Sequence, residues 1–355
     1  MRFLLFPAIC AALPQNPELL QRIEKASKSE EMTPCNWKEC QKPERKYELI
    51  SKSQPGIQWR DHGGYCGSWS IQRAILAKGA WISQQQVRDH ASPAPGAPKD
   101  HANEILSPNI DEALRNLKIR GNGFDYQNAQ FPQQHEYFKW LKKQLVAGRT
   151  VVWMIMWDGE ALPAYNLKLP AGLHGHVEPV IGIQSNRPLS DETVYDDDVA
   201  VHYDDVSTTT LYTTFGSLPG NWSGEGDSRA HCSQLRYCIG PYSYGWALHG
   251  FLDQREGWPL SLSINPWLKE PESREGGKPV NITGTLTATG LTQGSTYEIY
   301  RWGTTEEAFT YSGRYKIITF TATDDTFVFR DPRTFSSDSA TYYRCVKADI
   351  EGFVF

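Results

Sequence analysis

Apolar and polar positions recur along this chain with two different periods, and the change of period divides it. From Cys66, the apolar residues Ile71, Ala74 and Ile75 fall at helical spacing until Gly79, which predicts a helix opened by the cysteine. Ser83 is placed to cap a second short helix over "QQQVRDHA", and "SPNIDEALRNLKI" predicts a third with Ile110, Ala113, Leu114 and Leu117 on one face. "FPQQHEYFKWLKKQLVAGR" predicts a longer amphipathic helix, with Pro132 near its start, Gly148 at its end and a stripe of Tyr137, Trp140, Leu141 and Leu145. Continuous apolar runs then predict strands: "TVVWMIMW" at 150–157, "HVEPVIGI" at 176–183, "VAVHYDD" at 199–205 and "YGWALHGFLD" beyond them. After a charged, Pro/Gly-containing segment at 268–278 the period falls to two. "NITGTLTATGL", "TYEIYRW", "YKIITFTAT", "TFVFRD" and "ATYYRCVKA" alternate apolar with polar and are separated by turn residues, which predicts a small β-sandwich over 279–355.

The N-terminus, "MRFLLFPAICAALPQNPELL", has one Arg ahead of a short apolar run that closes on small residues. Residues 1–16 therefore read as a secretory signal, with a buried N-terminal strand or helix as the alternative. Residues 17–48 are polar and charged and read as an extension or pro-segment, leaving 49–267 as the main domain. No stretch is long and apolar enough to span a bilayer. The sequons at Asn221 and Asn281 are glycosylation candidates and fit a secreted, extracellular protein. Net charge is −5 with no basic run, which argues against nucleic acid and anionic membrane as partners. Aromatics make up 12% of residues, enough for an aromatic-lined cleft or a β-rich core, and Trp59, Trp69 and Trp246 are the cleft candidates.

Of seven cysteines, Cys35 with Cys40 and Cys232 with Cys238 read as short-loop disulfides, and Cys10 falls within the signal. Cys66 and Cys345 remain. They could pair, but they lie in segments expected to belong to different domains, so Cys66 is expected as a thiol, and a thiol in an oxidising compartment calls for a reason. The spacings match no structural zinc site, and no metal or cofactor is expected. The acidic residues Asp196, Asp197, Asp198, Asp204 and Asp205 lack a calcium-loop spacing and read as solvated loop charge.

A cysteine at a helix N-terminus meets unpaired N–H groups and the positive end of the helix dipole, which favour the nucleophilic thiolate. An imidazole on a later strand can act as its general base, and a carboxylate on the next strand can orient that ring. The segment "GGYCGSWSIQRAIL" resembles the nucleophile helix of papain-like cysteine peptidases, and most nearly that of the bacteriocin-leader-peptidase-like, or C39-like, branch. "KKQLVAGRTVVWMIMW" is similar to that branch's helix, turn and buried strand, "HGHVEPVIGI" to its His-bearing strand, and "VAVHYDD" to the strand carrying the orienting Asp or Asn. Together these pieces run in family order from Gln58 to Asp205.

The resemblance implies an α+β papain-like domain, with N-terminal helices and an antiparallel sheet, followed by the β-sandwich. It matches Cys66 to the nucleophile, His176 to the base, since it opens the strand leading to Gly182, and Asp204 to the orienting residue. Asp205, Glu178 and His174 are alternates; Glu178, two residues after His176, faces the same side of the strand. Where the family places an oxyanion-stabilising Gln, this chain has Arg60, and Gln58 stands two residues earlier as the candidate. The Asp-Pro that often follows is replaced by Asp205-Val206. His62 and His202 read as loop, surface or core residues. The implied activity is hydrolysis of peptide or amide bonds in a peptide or protein substrate, through a thioacyl intermediate on Cys66. The alternatives are an inactive peptidase-like binding or adhesion protein, in which Cys66 is a small buried residue or half of a disulfide, and a transamidase using the same site. No oligomeric state is implied.

Overall fold

The computed structural model describes residues 38–56, 58, 65–92, 105, 109–125, 128–130, 133–158, 173–204, 209–218, 237–239, 245–251, 257–265 and 279–348. The expected signal at 1–16, the first part of the extension and the linker at 268–278 lie outside them. Four α-helices form among the described residues: α1 (Cys66–Leu76), α2 (Gln84–Asp89), α3 (Ile110–Asn116) and α4 (Gln133–Val146). Ser83 caps α2 as its position predicts, its hydroxyl accepting from the Gln86 N–H at 3.1 Å.

Strands dominate, and this corrects the expected fold class. Alongside those predicted from pattern, the short segments β1 (Tyr47–Ile50), β2 (Ala80–Ile82), β3 (Ile119–Gly123), β7 (Thr210–Thr214), β8 (Tyr237–Ile239) and β10 (Leu260–Asn265) are also strands. The chain is mostly β, not the balanced α+β domain with an appended sandwich. The physical reason is length: three- to six-residue strands carry too few positions to show a period and are selected by the neighbours they pair with.

The largest sheet has eight strands, all antiparallel. It runs β3–β9–β4–β5–β6–β7, with β4 (Thr150–Asp158), β5 (Leu173–Ser185), β6 (Val199–Tyr203) and β9 (Gly245–Phe251) in its middle; β1 adds to β5 and β8 to β4. β5 is the longest strand and pairs with three others, β4 along its first half and β1 and β6 along its second. Gly182 makes the β1 pairing possible, since a Cβ there would lie 2.6 Å from the Leu49 carbonyl oxygen. α4 covers one face of the sheet through Tyr137, Leu141 and Leu145, which pack with Val151, Trp153, Ile155 and Val180.

The C-terminal strands β11 (Asn281–Thr289), β12 (Thr296–Trp302), β13 (Tyr315–Thr321), β14 (Thr326–Ser336) and β15 (Ala340–Lys347) form two sheets, β10–β11–β14 and β13–β12–β15–β2. Each is completed from elsewhere in the chain. β2, which lies between α1 and α2, pairs Ala80, Trp81 and Ile82 with Tyr342, Thr341 and Ala340. The Trp81 indole N–H donates to the Ser337 carbonyl at 3.1 Å. One buried cluster accordingly holds Ile71 and Ile75 of α1 together with Trp302, Tyr342 and Val346. Among the described residues no helix is long and apolar enough to cross a membrane.

Two of the acidic residues expected in solvent, Asp198 and Asp204, are instead fully buried. Asp198 meets Lys142 of α4 at 2.8 Å and also accepts from the Ser185 hydroxyl at 2.6 Å and the Tyr195 N–H at 3.2 Å. Truncating one partner strands the other charge in the interior. Asp198→Ala is expected to cost about 3–5 kcal/mol in urea unfolding, and the double change Lys142→Met with Asp198→Leu to cost less than that single one.

Candidate active site

α1 begins at Cys66, and its position is set from both sides. Tyr65, the residue before it, is held on α2: its hydroxyl donates to Gln85 Oε1 at 2.8 Å, and the Arg88 guanidinium sits 4.0 Å from its ring centroid. Tyr65 supplies no side-chain cap, so no side chain from that position covers the amide groups of the first turn. Gly67 follows because a Cβ there would lie 2.6 Å from the Ile105 carbonyl oxygen. The next turn fastens the helix to β5. Ser70 Oγ shares its single proton between the Cys66 carbonyl at 2.7 Å and the Val177 carbonyl at 3.1 Å. One hydroxyl thus joins the backbone of Cys66 to the residue that follows His176.

On β5 the pleat separates these neighbours. Val177 packs in the same apolar cluster as Cys66. His176 opposes Ile155 and Glu178 opposes Trp153, and both of those β4 residues face α4. His202 opposes Val180 and shares that face. The result is a buried polar group. Glu178 Oε2 lies 2.5 Å from His202 Nδ1, His202 Nε2 lies 2.9 Å from Thr213 Oγ1, and Glu178 Oε1 lies 3.9 Å from His176 Nε2. The Trp153 ring meets that of His202 edge-on, 5.1 Å between centroids. Glu178 and His202 are wholly buried and His176 is 6% exposed.

Asp204 is buried just past the end of β6, where its N–H donates to the Thr209 carbonyl at 3.0 Å. Gln58 is half-buried. Asp205, Arg60, His62 and Trp59 lie outside the described residues, as do Cys35, Cys232 and Asn221; His174 and Cys238 are placed in β5 and β8 by their backbones. Asn281 is exposed at the start of β11. Trp69, expected at a cleft, is fully buried among Ile181, Val201 and Tyr203. Trp246 is buried as well, its indole N–H donating to Asp111 at 2.8 Å. His202 was passed over in the sequence because its partner Glu178 stands on another strand. The alternation of Glu178 with His176, and of His202 with Asp204, is the signal that could have found the group.

The cysteines divide as well. Cys40 is disulfide-bonded, whereas Cys66 and Cys345 are buried thiols, not halves of a disulfide. Cys345 sits in β15 among Leu262, Ile299 and Tyr343.

No protein-family model matches the chain, and no curated protein matches it. Among solved structures it is similar to the cysteine protease and lectin-like domains of Cwp84, a surface layer associated protein of Clostridium difficile. The identity is 8% and the TM-score 0.28, over 84% of this chain and 73% of that one. A likeness of that size assigns neither a fold nor a family.

Burial pushes the Cys345 thiol up to about 12 from an ordinary 9.0. The fold holds the protonated form, while the unfolded chain ionises near the ordinary value. The stability linked to this group is therefore complete below pH 9 and is lost as pH climbs toward 12. Iodoacetamide at pH 8 is expected to leave Cys345 untouched in the native protein and to modify it fully in denaturant, read by peptide mass mapping.

Proposed function

We propose that this protein is a cysteine-dependent hydrolase of peptide or amide bonds, with Cys66 as nucleophile, His176 as general base and an extracellular site of action. Its motifs resemble most nearly those of the C39-like branch of the cysteine peptidases. The observation that carries the reading is the Ser70 hydroxyl, which ties the first residue of α1 to β5 beside His176. His176 alternates with Val177, so the flank of α1 cannot serve it; in this reading the thiol reaches the ring from the helix tip, where Cys66 stands.

The chemistry follows from those positions. The first-turn amides and the helix dipole favour the thiolate, and His176 holds the proton. Sγ attacks the substrate carbonyl carbon, and the charge that develops on oxygen is met by the Cys66 N–H and by Gln58 as second donor. His176 passes its proton to the leaving amine as the C–N bond breaks, leaving a thioester on Cys66. Water then attacks the thioester, giving a proton to His176, and the C–S bond breaks to release the acid and restore the thiolate. Asp204 is the orienting residue that the family motif proposes for His176.

Two measurements test this. Cys66 is expected to react with iodoacetamide at mildly acidic pH at least about tenfold faster than free cysteine, and His176→Ala to remove that advantage. Ordinary reactivity overturns the enzyme and favours a binding or adhesion protein. With a substrate in hand, capture of the acyl group by an added amine in place of water would identify a transamidase.

A further inference from the structure

The sequence motif assigns the carboxylate partner of His176 to Asp204, but the geometry points to a different one: we propose that Glu178, clamped by His202 and Thr213, is the positioning residue that sets the charge of His176. The inference rests on the reading of His176 as the base for Cys66.

Glu178 has its two oxygens in different circumstances. Oε2 is fixed by His202 Nδ1 at 2.5 Å, and His202 is fixed in turn through Nε2 to Thr213 of β7 at 2.9 Å. Both ring nitrogens of His202 are therefore used, and its plane is held edge-on against Trp153. A side chain tied at both ends cannot swing, so the carboxylate it holds cannot swing either. Oε1 accepts no hydrogen bond among the described residues, although it is buried, and it stands 3.9 Å from His176 Nε2. That separation is too long for a hydrogen bond and short enough for a strong charge interaction, because almost no water intervenes at this depth.

The surroundings leave Glu178 little other company. From β4 the neighbours on this face are Trp153 and Ile155, and from α4 they are Tyr137 and Leu141, with the Tyr137 phenol held neutral by burial. The Lys142 ammonium of α4 is taken up by Asp198. From β6 come His202 and, beyond the strand end, Asp204, and from β7 comes Thr213. The ionisable groups within salt-bridge reach of Glu178 among the described residues are the two imidazoles, and one of these is committed to the clamp. A carboxylate so placed favours the imidazolium form of His176, which is the form that stabilises a thiolate and protonates a leaving amine.

The test follows the ring itself. In the full-length protein with 13C-labelled histidine, the His176 resonance is assigned with His176→Asn and titrated by NMR. Glu178→Gln is expected to lower its midpoint by about 1–3 pH units. Glu178→Asp keeps the charge but withdraws it by one methylene, so a smaller fall is expected; it decides the matter if the glutamine variant fails to fold. A midpoint that neither variant moves overturns the proposal, as does a larger fall in Asp204→Asn than in Glu178→Gln. A loss of stability without change in the midpoint marks Glu178 as structural only and also overturns it. Failure of the enzyme reading shows elsewhere, as ordinary Cys66 reactivity in the unmodified protein, and leaves the midpoint measurement readable.

Discussion

A helix with no face toward water must be covered all the way round, and that requirement organises this molecule. All eleven residues of α1 are buried, including Ser68, Ser70, Gln72 and Arg73. One side lies on the large sheet, where Val152 and Val177 join its apolar cluster. The opposite side is covered by Trp302, Tyr342 and Val346 of the C-terminal sheets, reached through β2. Several of the polar side chains find partners inside this wrapping. Gln72 donates to the Ile82 carbonyl at 3.0 Å and accepts from Arg73 at 2.6 Å, and the Arg73 carbonyl accepts from the Ser53 hydroxyl at 2.6 Å. The C-terminal strands are thus part of the packing around α1, and removing them would expose a helix that has no solvent-facing side.

Such wrapping has a consequence for the helix tip. A surface helix can rock on its apolar stripe, but one gripped on every side has a fixed axis, and its first residue has a fixed place. Cys66 is held by Tyr65 on the α2 side, by Gly67 against Ile105, and by Ser70 against β5. Pre-set geometry of this kind is what a nucleophile needs, because a displacement of about 1 Å costs on the order of a hundredfold in rate. The same rigidity suits a binding site, which is why reactivity, and not geometry, separates the two readings.

The parts of this architecture legible in the sequence are those specified locally. α1, α2 and α4 were visible because their apolar spacing and end residues lie within one segment, and β11 because "NITGTLTAT" alternates over its full length. β2 was not visible. "AWI" has no period, and it becomes a strand because Thr341 and Tyr342 present an open edge beside it. That β2 joins the C-terminal strands is illegible for the same reason, since pairing across more than two hundred residues leaves no local trace. In the site, Cys66 was legible as a helix opener and His176 as a strand opener. The clamp on Glu178 was not, because His202 and Thr213 meet it only once β5, β6 and β7 are in register.

Two fully buried carboxylates show how differently the fold treats structure and chemistry. Asp198 is satisfied on both oxygens: Oδ1 by the Ser185 hydroxyl, Oδ2 by the Lys142 ammonium and the Tyr195 N–H. Its charge is cancelled where it stands, and nothing about it is left to act elsewhere. Glu178 is satisfied on one oxygen only, and the other accepts no hydrogen bond among the described residues. A buried acceptor in that state costs about 1–3 kcal/mol, an expense that a purely structural carboxylate would shed by recruiting a donor, as Asp198 does. Glu178 does not shed it. Its second oxygen lies 3.9 Å from His176 Nε2, held there by the contacts of its first oxygen with His202 and of His202 with Thr213. The asymmetry between the two carboxylates is the geometry on which the proposed role of Glu178 rests.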